Sequence, residues 1–171
     1  MHNKVSRFSV YLVLFISLVL QVTAVDYIKI FGAKPDLMLL AVIFFGLLFG
    51  GSIGLEAGLV AGLAKDILSL DVFGANTFTM ALTGFAVGGL SQKFFKESKI
   101  MQTAIVFVFV IVCMLIHYTV NSLVSNAGYI RAPEYFFGLI LPTSLYTSVL
   151  SMLIFPFLMH RFHLEEREEF L

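Results

Sequence analysis

The chain has 171 residues, of which 59% are hydrophobic and 13% charged, with 11 Lys and Arg against 11 Asp and Glu and a mean hydropathy of +0.96. A soluble domain is about one-quarter charged, so this composition specifies an integral membrane protein, and a net charge of zero excludes the basic surface that nucleic acid needs. The single cysteine, Cys113, excludes an intrachain disulfide and any cysteine metal cluster. Residues 8–25 carry no charge and follow Lys4 and Arg7. Val22-Thr23-Ala24 imitates a signal-peptide cleavage site, but the apolar run exceeds the usual signal core of about 7–15 residues. It therefore reads as a first membrane helix, over about residues 8–27.

A short polar link from Asp26 to Lys34 leads to Pro35-Asp36-Leu37. Proline disfavours helix in the residue before it and suits a first helical turn, and a carboxylate there meets the positive end of the helix dipole. The apolar region that follows, Leu37 to Leu70, is too long for one span. As a single helix its 34 residues would reach about 50 Å, against a hydrocarbon core of about 30 Å. The break falls at Gly50-Gly51-Ser52 and gives two short helices, 36–50 and 52–70, joined by a tight hairpin. A re-entrant pair that does not cross is the competing reading.

Glycine recurs in this region at Gly46, Gly50, Gly54, Gly58 and Gly62, and the next step in the register is Asp66. Four-residue spacing lines up one side of a helix. In water this much glycine opposes helix formation, at about 1 kcal/mol each relative to alanine. In a bilayer, small residues at this spacing let helix backbones approach closely. Two uses follow: internal packing of the second, third and fourth helices, which the sequence favours, or a groove for another protein's membrane helix.

Residues 71–76 form a turn, with Gly74 and Asn76 suited to a break and a helix N-cap. A fourth span covers 76–92 and repeats the four-residue spacing at Gly84 and Gly88. A basic loop with Lys93, Lys96 and Lys99 precedes a fifth span, 100–125, that turns polar at His117, Tyr118 and Asn121. After a polar connection holding Asn126, Gly128, Arg131, Pro133 and Glu134, a sixth span covers 135–160, interrupted by Pro142 and rich in Ser and Thr. Seven Lys and Arg (Lys4, Arg7, Lys93, Lys96, Lys99, Arg161, Arg167) fall on one side and four (Lys29, Lys34, Lys65, Arg131) on the other. The positive-inside rule then puts both termini in the cytoplasm.

This topology gathers Asp36, Asp66, Asn76, His117 and Asn121 at the outer face, while Glu56 lies near the cytoplasmic end of the third helix. Charges near a bilayer are costly and are paired or face an interior. Asp66 and its neighbour Lys65 point about 100° apart on a helix and do not pair with each other. Asp66 is expected to bond loop amides or Asn76 and to fasten the outer hairpins. His117 and Asn121 share a helix face, but one histidine and one asparagine make no metal site, since catalytic zinc takes three protein ligands. No Walker loop, GxSxG elbow or HExxH helix occurs. The residues specify no catalytic group, cofactor or metal.

Pro35-Asp36-Leu37, the row Gly54-Gly58-Gly62-Asp66 and Gly74-Ala75-Asn76, in that order, resemble the rod shape-determining protein MreD family of bacterial inner-membrane proteins. Chain length and the basic loop between spans four and five match as well, and the C-terminal third agrees in hydropathy only. The resemblance implies six short membrane helices in the arrangement of the substrate-binding subunits of energy-coupling-factor transporters. It also implies a non-enzymatic role in cell elongation. The implied partners are MreC, through its transmembrane and juxtamembrane region, and, in the same complex, the actin-like MreB, the glycosyltransferase RodA and its penicillin-binding partner. On this reading Gly54, Gly58, Gly62, Gly84 and Gly88 form the packing or partner surface, and Asp36, Asp66, Asn76, His117 and Asn121 form an outer polar cluster. The rival function is that of the transporter subunit itself, with a vitamin-sized ligand in an outward pocket. An intramembrane aspartyl peptidase built on Asp36 and Asp66 finds no further support in the residues around them.

Overall fold

The computed structural model describes residues 6–29, 32–69, 72–94, 99–124 and 132–162. Lys4, Asp71, Lys96, Asn126, Gly128, Arg131 and the tail from residue 163 lie outside these, as do the side chains of Lys93 and Lys99. Six helices account for nearly all of the described chain: α1 (Arg7–Thr23), α2 (Leu37–Phe49), α3 (Gly51–Leu68), α4 (Ala75–Phe94), α5 (Lys99–Val124) and a composite α6. The last runs through Ala132–Tyr135, a π-helical stretch Phe136–Ile140 and Leu141–Arg161. A short 3-10 turn, Val25–Ile28, follows α1.

The shortest of the six occupies the centre. α2 has 13 residues, about 20 Å of helix, and every residue from Met38 to Leu47 is buried. α1 packs on α2 and α3, α4 lies along both α3 and α2, and α5 runs beside α4 and α6. A helix apolar on all sides is one that other helices enclose, which is why α2 needs no polar face. Its lower half is held by aromatic edges: Phe44 meets Phe155 at 5.2 Å between ring centroids, and Phe45 and Phe49 each meet Phe162 at 6.0 Å.

α5 and α6 are long and apolar enough to cross a membrane, yet only 17% and 33% of their most apolar stretches are buried. Their outer faces carry Val108, Val112, Leu145, Leu153 and Phe157, and α1 adds Phe8, Phe15, Ile16 and Val19. Exposed apolar surface on this scale fits contact with lipid rather than water. Inside α6, Thr147, Ser148 and Ser151 donate to carbonyls of their own helix, at Thr143, Leu145 and Ser148. Thr79 and Thr83 do the same in α4. These buried hydroxyls thus present small side chains to their neighbours without leaving polar atoms unpaired.

α2, α3 and α4 touch through backbone. The hairpin between α2 and α3 turns at Gly50, whose φ of +90° favours glycine. α3 begins at Gly51, so the turn is a single residue, tighter than the Gly50-Gly51-Ser52 break expected from sequence. A Cβ added at Gly54 would fall 2.2 Å from the Gly84 carbonyl oxygen and 2.8 Å from Cα of Gly46. At Gly58 it would fall 2.3 Å from the Met80 oxygen, at Gly62 2.4 Å from Cα of Thr77, at Gly84 2.0 Å from the Gly54 oxygen and at Gly88 2.1 Å from the Gly51 nitrogen. No real Cβ tolerates such distances from backbone. The glycines of three helices fill one another's space.

Candidate functional site

The polar residues concentrate where α2 and α4 begin and α1, α3 and α5 end. Asp36 is the N-cap of α2, with Oδ1 accepting from the Leu39 N–H at 3.0 Å. It therefore stands just outside the first helical turn, where a carboxylate satisfies an amide with no partner in its own helix. Its other oxygen accepts from Lys65 Nζ at 2.5 Å, and its backbone N–H donates to Thr147 Oγ1 at 3.1 Å. From α1, Gln21 donates to the Pro35 carbonyl at 3.2 Å and accepts from the Leu37 N–H at 2.8 Å. Side chains from α1, α3 and α6 thus converge on the first residues of α2. Lys65 and Asp36 form an ion pair with side chains 30% and 12% exposed. In such a partly buried pair, removing one partner leaves the other charge less well compensated.

Asp66 points elsewhere, as the 100° step from Lys65 requires. Its Oδ1 accepts from the backbone N–H and the side-chain Nδ2 of Asn76, both at 3.0 Å. Its Oδ2 accepts from the Thr77 N–H at 2.9 Å and the Thr77 hydroxyl at 2.5 Å. Two first-turn amides of α4 are thereby capped by a carboxylate on α3. Asn76 is not the cap that its type and position suggest: α4 starts one residue earlier, at Ala75, after Gly74 at φ +94°. The capping oxygen comes from across the hairpin, so Asn76 is free to act as a donor.

The third node is at the end of α5. Asn121 Nδ2 lies 3.2 Å and 3.3 Å from the His117 ring nitrogens and 3.1 Å from the His117 carbonyl, while its Oδ1 accepts from the Val72 N–H at 3.1 Å. Asn121 therefore ties the loop before α4 to α5. Among the described residues no three His, Cys, Asp or Glu side chains come together as a metal site. At the opposite end of the bundle, Tyr11 donates to Glu56 and Arg7 lies 3.8 Å from the same carboxylate, joining α1 to α3.

A cavity of about 490 Å³ lies among these nodes. Asp36, Asn76 and His117 of the expected cluster line it, together with Lys65, Gln21 and Ser69, whereas Asp66 and Asn121 stand behind its wall. The cluster is thus two things, a lined cavity and two fasteners beside it. Sequence reasoning did not pair Lys65 with Asp36 and did not find Gln21 or Thr147. A cation one turn from the end of a helix next to a capping acid was the available signal for the first; Gln21 and Thr147 gave none. The π-helical stretch that brings Leu139 to the wall does have one: Pro142 has no N–H to give Gly138, and the Leu141 N–H reaches back to the Phe136 carbonyl instead.

Comparison with curated proteins and comparison with solved structures each return no match. The sequence profile described as rod shape-determining protein MreD matches residues 2–163. That span holds the Pro35-Asp36-Leu37 cap, the glycine row, Asp66 and all six helices. The role attached to it is bacterial rod-shape determination at a membrane. This chain belongs to the rod shape-determining protein MreD family.

Proposed function

We propose that this chain is a non-enzymatic membrane scaffold of the elongation machinery, binding the transmembrane and juxtamembrane region of MreC. Through MreC it would help couple MreB filaments to RodA and its penicillin-binding partner. The proposal includes six crossings of the cytoplasmic membrane, with both termini inside, a reading that the distribution of Lys and Arg supports, in the helix arrangement of energy-coupling-factor substrate-binding subunits. The observation that carries it is the contrast between a closed interior and an open apolar exterior. Glycine faces that could have received a partner's helix are filled by the chain's own backbone. Large apolar side chains, Phe15 at 63% and Leu153 at 71% exposure among them, remain outside. A partner helix would therefore dock on the outer faces, and the five glycines would serve the partner by holding the scaffold's shape.

Photo-crosslinking in cells tests this. A benzophenone amino acid placed singly at Phe15, Phe85, Val108 and Leu153 samples α1, α4, α5 and α6. The expected result is MreC adducts from one or two adjacent helices and none from the others. Absence of MreC adducts from all four positions, with each variant restoring rod shape, would remove MreC docking on this surface. The transporter-subunit reading rests on the cavity alone; a stoichiometric vitamin in the purified protein would favour it.

A further inference from the structure

The cavity at the start of α2 measures about 490 Å³, within the range of about 300–1,000 Å³ typical of ligand sites. It opens in a chain that elsewhere packs α3 on α4 until backbones touch. The charged groups of its wall are already engaged. Asp36 gives one oxygen to the Leu39 N–H and the other to Lys65, while Lys34 and His117 hold interactions of their own. Gln21 is used at both ends of its amide, toward Pro35 and Leu37. A charged ligand would therefore bury its charge with no counter-ion set aside for it, which is costly.

Two uncharged groups of the wall are left incomplete. Asn76 is 4% exposed, and its backbone N–H and Nδ2 both donate to Asp66. Its Oδ1 receives no hydrogen bond from the described residues. Ser69 lines the same cavity, and its hydroxyl is buried with no hydrogen-bond partner. Buried polar atoms are nearly always paired, so two open ones on one cavity wall point to a missing group. An amide oxygen takes only a donor, whereas a serine hydroxyl gives or takes. A hydroxyl-bearing head suits both. The rest of the wall is apolar, with Leu18, Met38, Met80, Met114 and Leu139, and the flexible thioethers of methionine adapt to irregular shapes. Leu139 comes from the π-helical stretch Phe136–Ile140, and π-bulges are frequent at functional sites.

We propose that this cavity binds a neutral amphiphile, its hydroxyl head completing Asn76 and Ser69 and its apolar chain lying along Met38, Met80, Met114 and Leu139. The site is independent of MreC docking, which could fail with the cavity still occupied. The chain contains no tryptophan, so a single reporter reads the cavity without background. Leu139→Trp places it on the wall, and Leu153→Trp, at a position 71% exposed on α6, reports ordinary lipid contact.

The purified full chain is titrated with a brominated monoacylglycerol or with its dimethyl ether, which keeps the chain and loses both hydroxyl donors. For the cavity reporter, half-quenching is expected at about fivefold less of the hydroxylated lipid, the weight of one neutral hydrogen bond, with equal amounts for the exterior reporter. Ser69→Ala in the cavity-reporter background should raise the amount of monoacylglycerol needed about fivefold. The same change should leave the melting temperature of the lipid-free protein no lower, because the hydroxyl it removes has no partner there. Soluble glycerol should leave the quenching unchanged. Equal ratios at the two reporters would overturn the proposal. So would a Ser69→Ala variant that melts lower with its quenching unchanged, which would make the hydroxyl part of the fold alone. Reversal by glycerol would overturn it in favour of a soluble polyol. Should Leu139→Trp fail to fold, Met114→Trp replaces it, with the same results required.

Discussion

The two halves of this bundle are built by opposite means. α2, α3 and α4 meet backbone to backbone, with glycine at each crossing. α1, α5 and α6 meet α2 through side chains, and a cavity of about 490 Å³ opens between them and the facing ends of α3 and α4. Without a hydrophobic force between helices in lipid, close van der Waals contact does the holding, and only the glycine half maximises it. The side-chain half is held by discrete polar ties, such as Gln21 to Pro35 and Leu37, Thr147 to Asp36, and Tyr146 to the Ile28 carbonyl. Contact that depends on shape everywhere tolerates no change. Contact that depends on a few hydrogen bonds can adapt, and that is the half where a ligand or partner can act.

The largest expected effect comes from breaking the first half. Gly84→Leu forces side-chain atoms into the Gly54 carbonyl, beyond the roughly 1–3 kcal/mol of ordinary overpacking. The variant should be lost from the membrane fraction or run as an aggregate in size-exclusion chromatography. Gly88 and Gly89 sharpen the point within one turn. A Cβ at Gly88 meets the Gly51 nitrogen at 2.1 Å, whereas a Cβ at Gly89 meets nothing within 4 Å. Gly88→Ala should lower the melting temperature in detergent. Gly89→Ala should leave it unchanged or raise it, since helix propensity favours alanine by up to about 1 kcal/mol.

Next in size is Asp66→Ala, which strands the Asn76 and Thr77 amides at the start of α4. Each buried donor left unpaired costs about 1–3 kcal/mol, so thermal unfolding should show a clear loss. Asp66→Asn keeps one accepting oxygen and should lose about half as much. Lys65→Met and Asp36→Asn each break the ion pair that joins α3 to the start of α2 within the first half. Either single change should destabilise more than the double change, the pattern of a paired charge whose partner is the cost; additivity in a double-mutant cycle would contradict it. The smallest effect is expected at Asn121→Ala, about 1 kcal/mol for its bond to the Val72 N–H, read as faster amide exchange in the loop before α4.

Much of the first half is written locally. The glycine register and Pro35-Asp36-Leu37 lie within single helices, and four-residue periodicity shows them without a partner. The helices fall near the expected stretches because breaks at Gly50 and Gly74 are local backbone events. What could not be read is which helix stands inside. In a bilayer the exterior is as apolar as the core, so α2, wholly enclosed, and α5, mostly uncovered, carry the same kind of residues. The ties across the second half were hidden for another reason. Gln21 to Leu37 and Asp36 to Thr147 join residues 16 and 111 positions apart, and only the packed bundle brings them together. The capping of α4 by Asp66 stood between these cases. Its partners lie 10 and 11 residues away across one hairpin, near enough for the expected fastening, though not for which residue would be the cap.

The glycine row packs this chain's own helices against one another, backbone on backbone. The melting temperature of purified Gly58→Ala, measured with no other protein present, tests it most directly. A Cβ there would fall 2.3 Å from the Met80 carbonyl oxygen, so the isolated chain should melt several degrees below the parent. An unchanged melting temperature, with MreC co-purification lost, would place the glycines at a partner's helix instead.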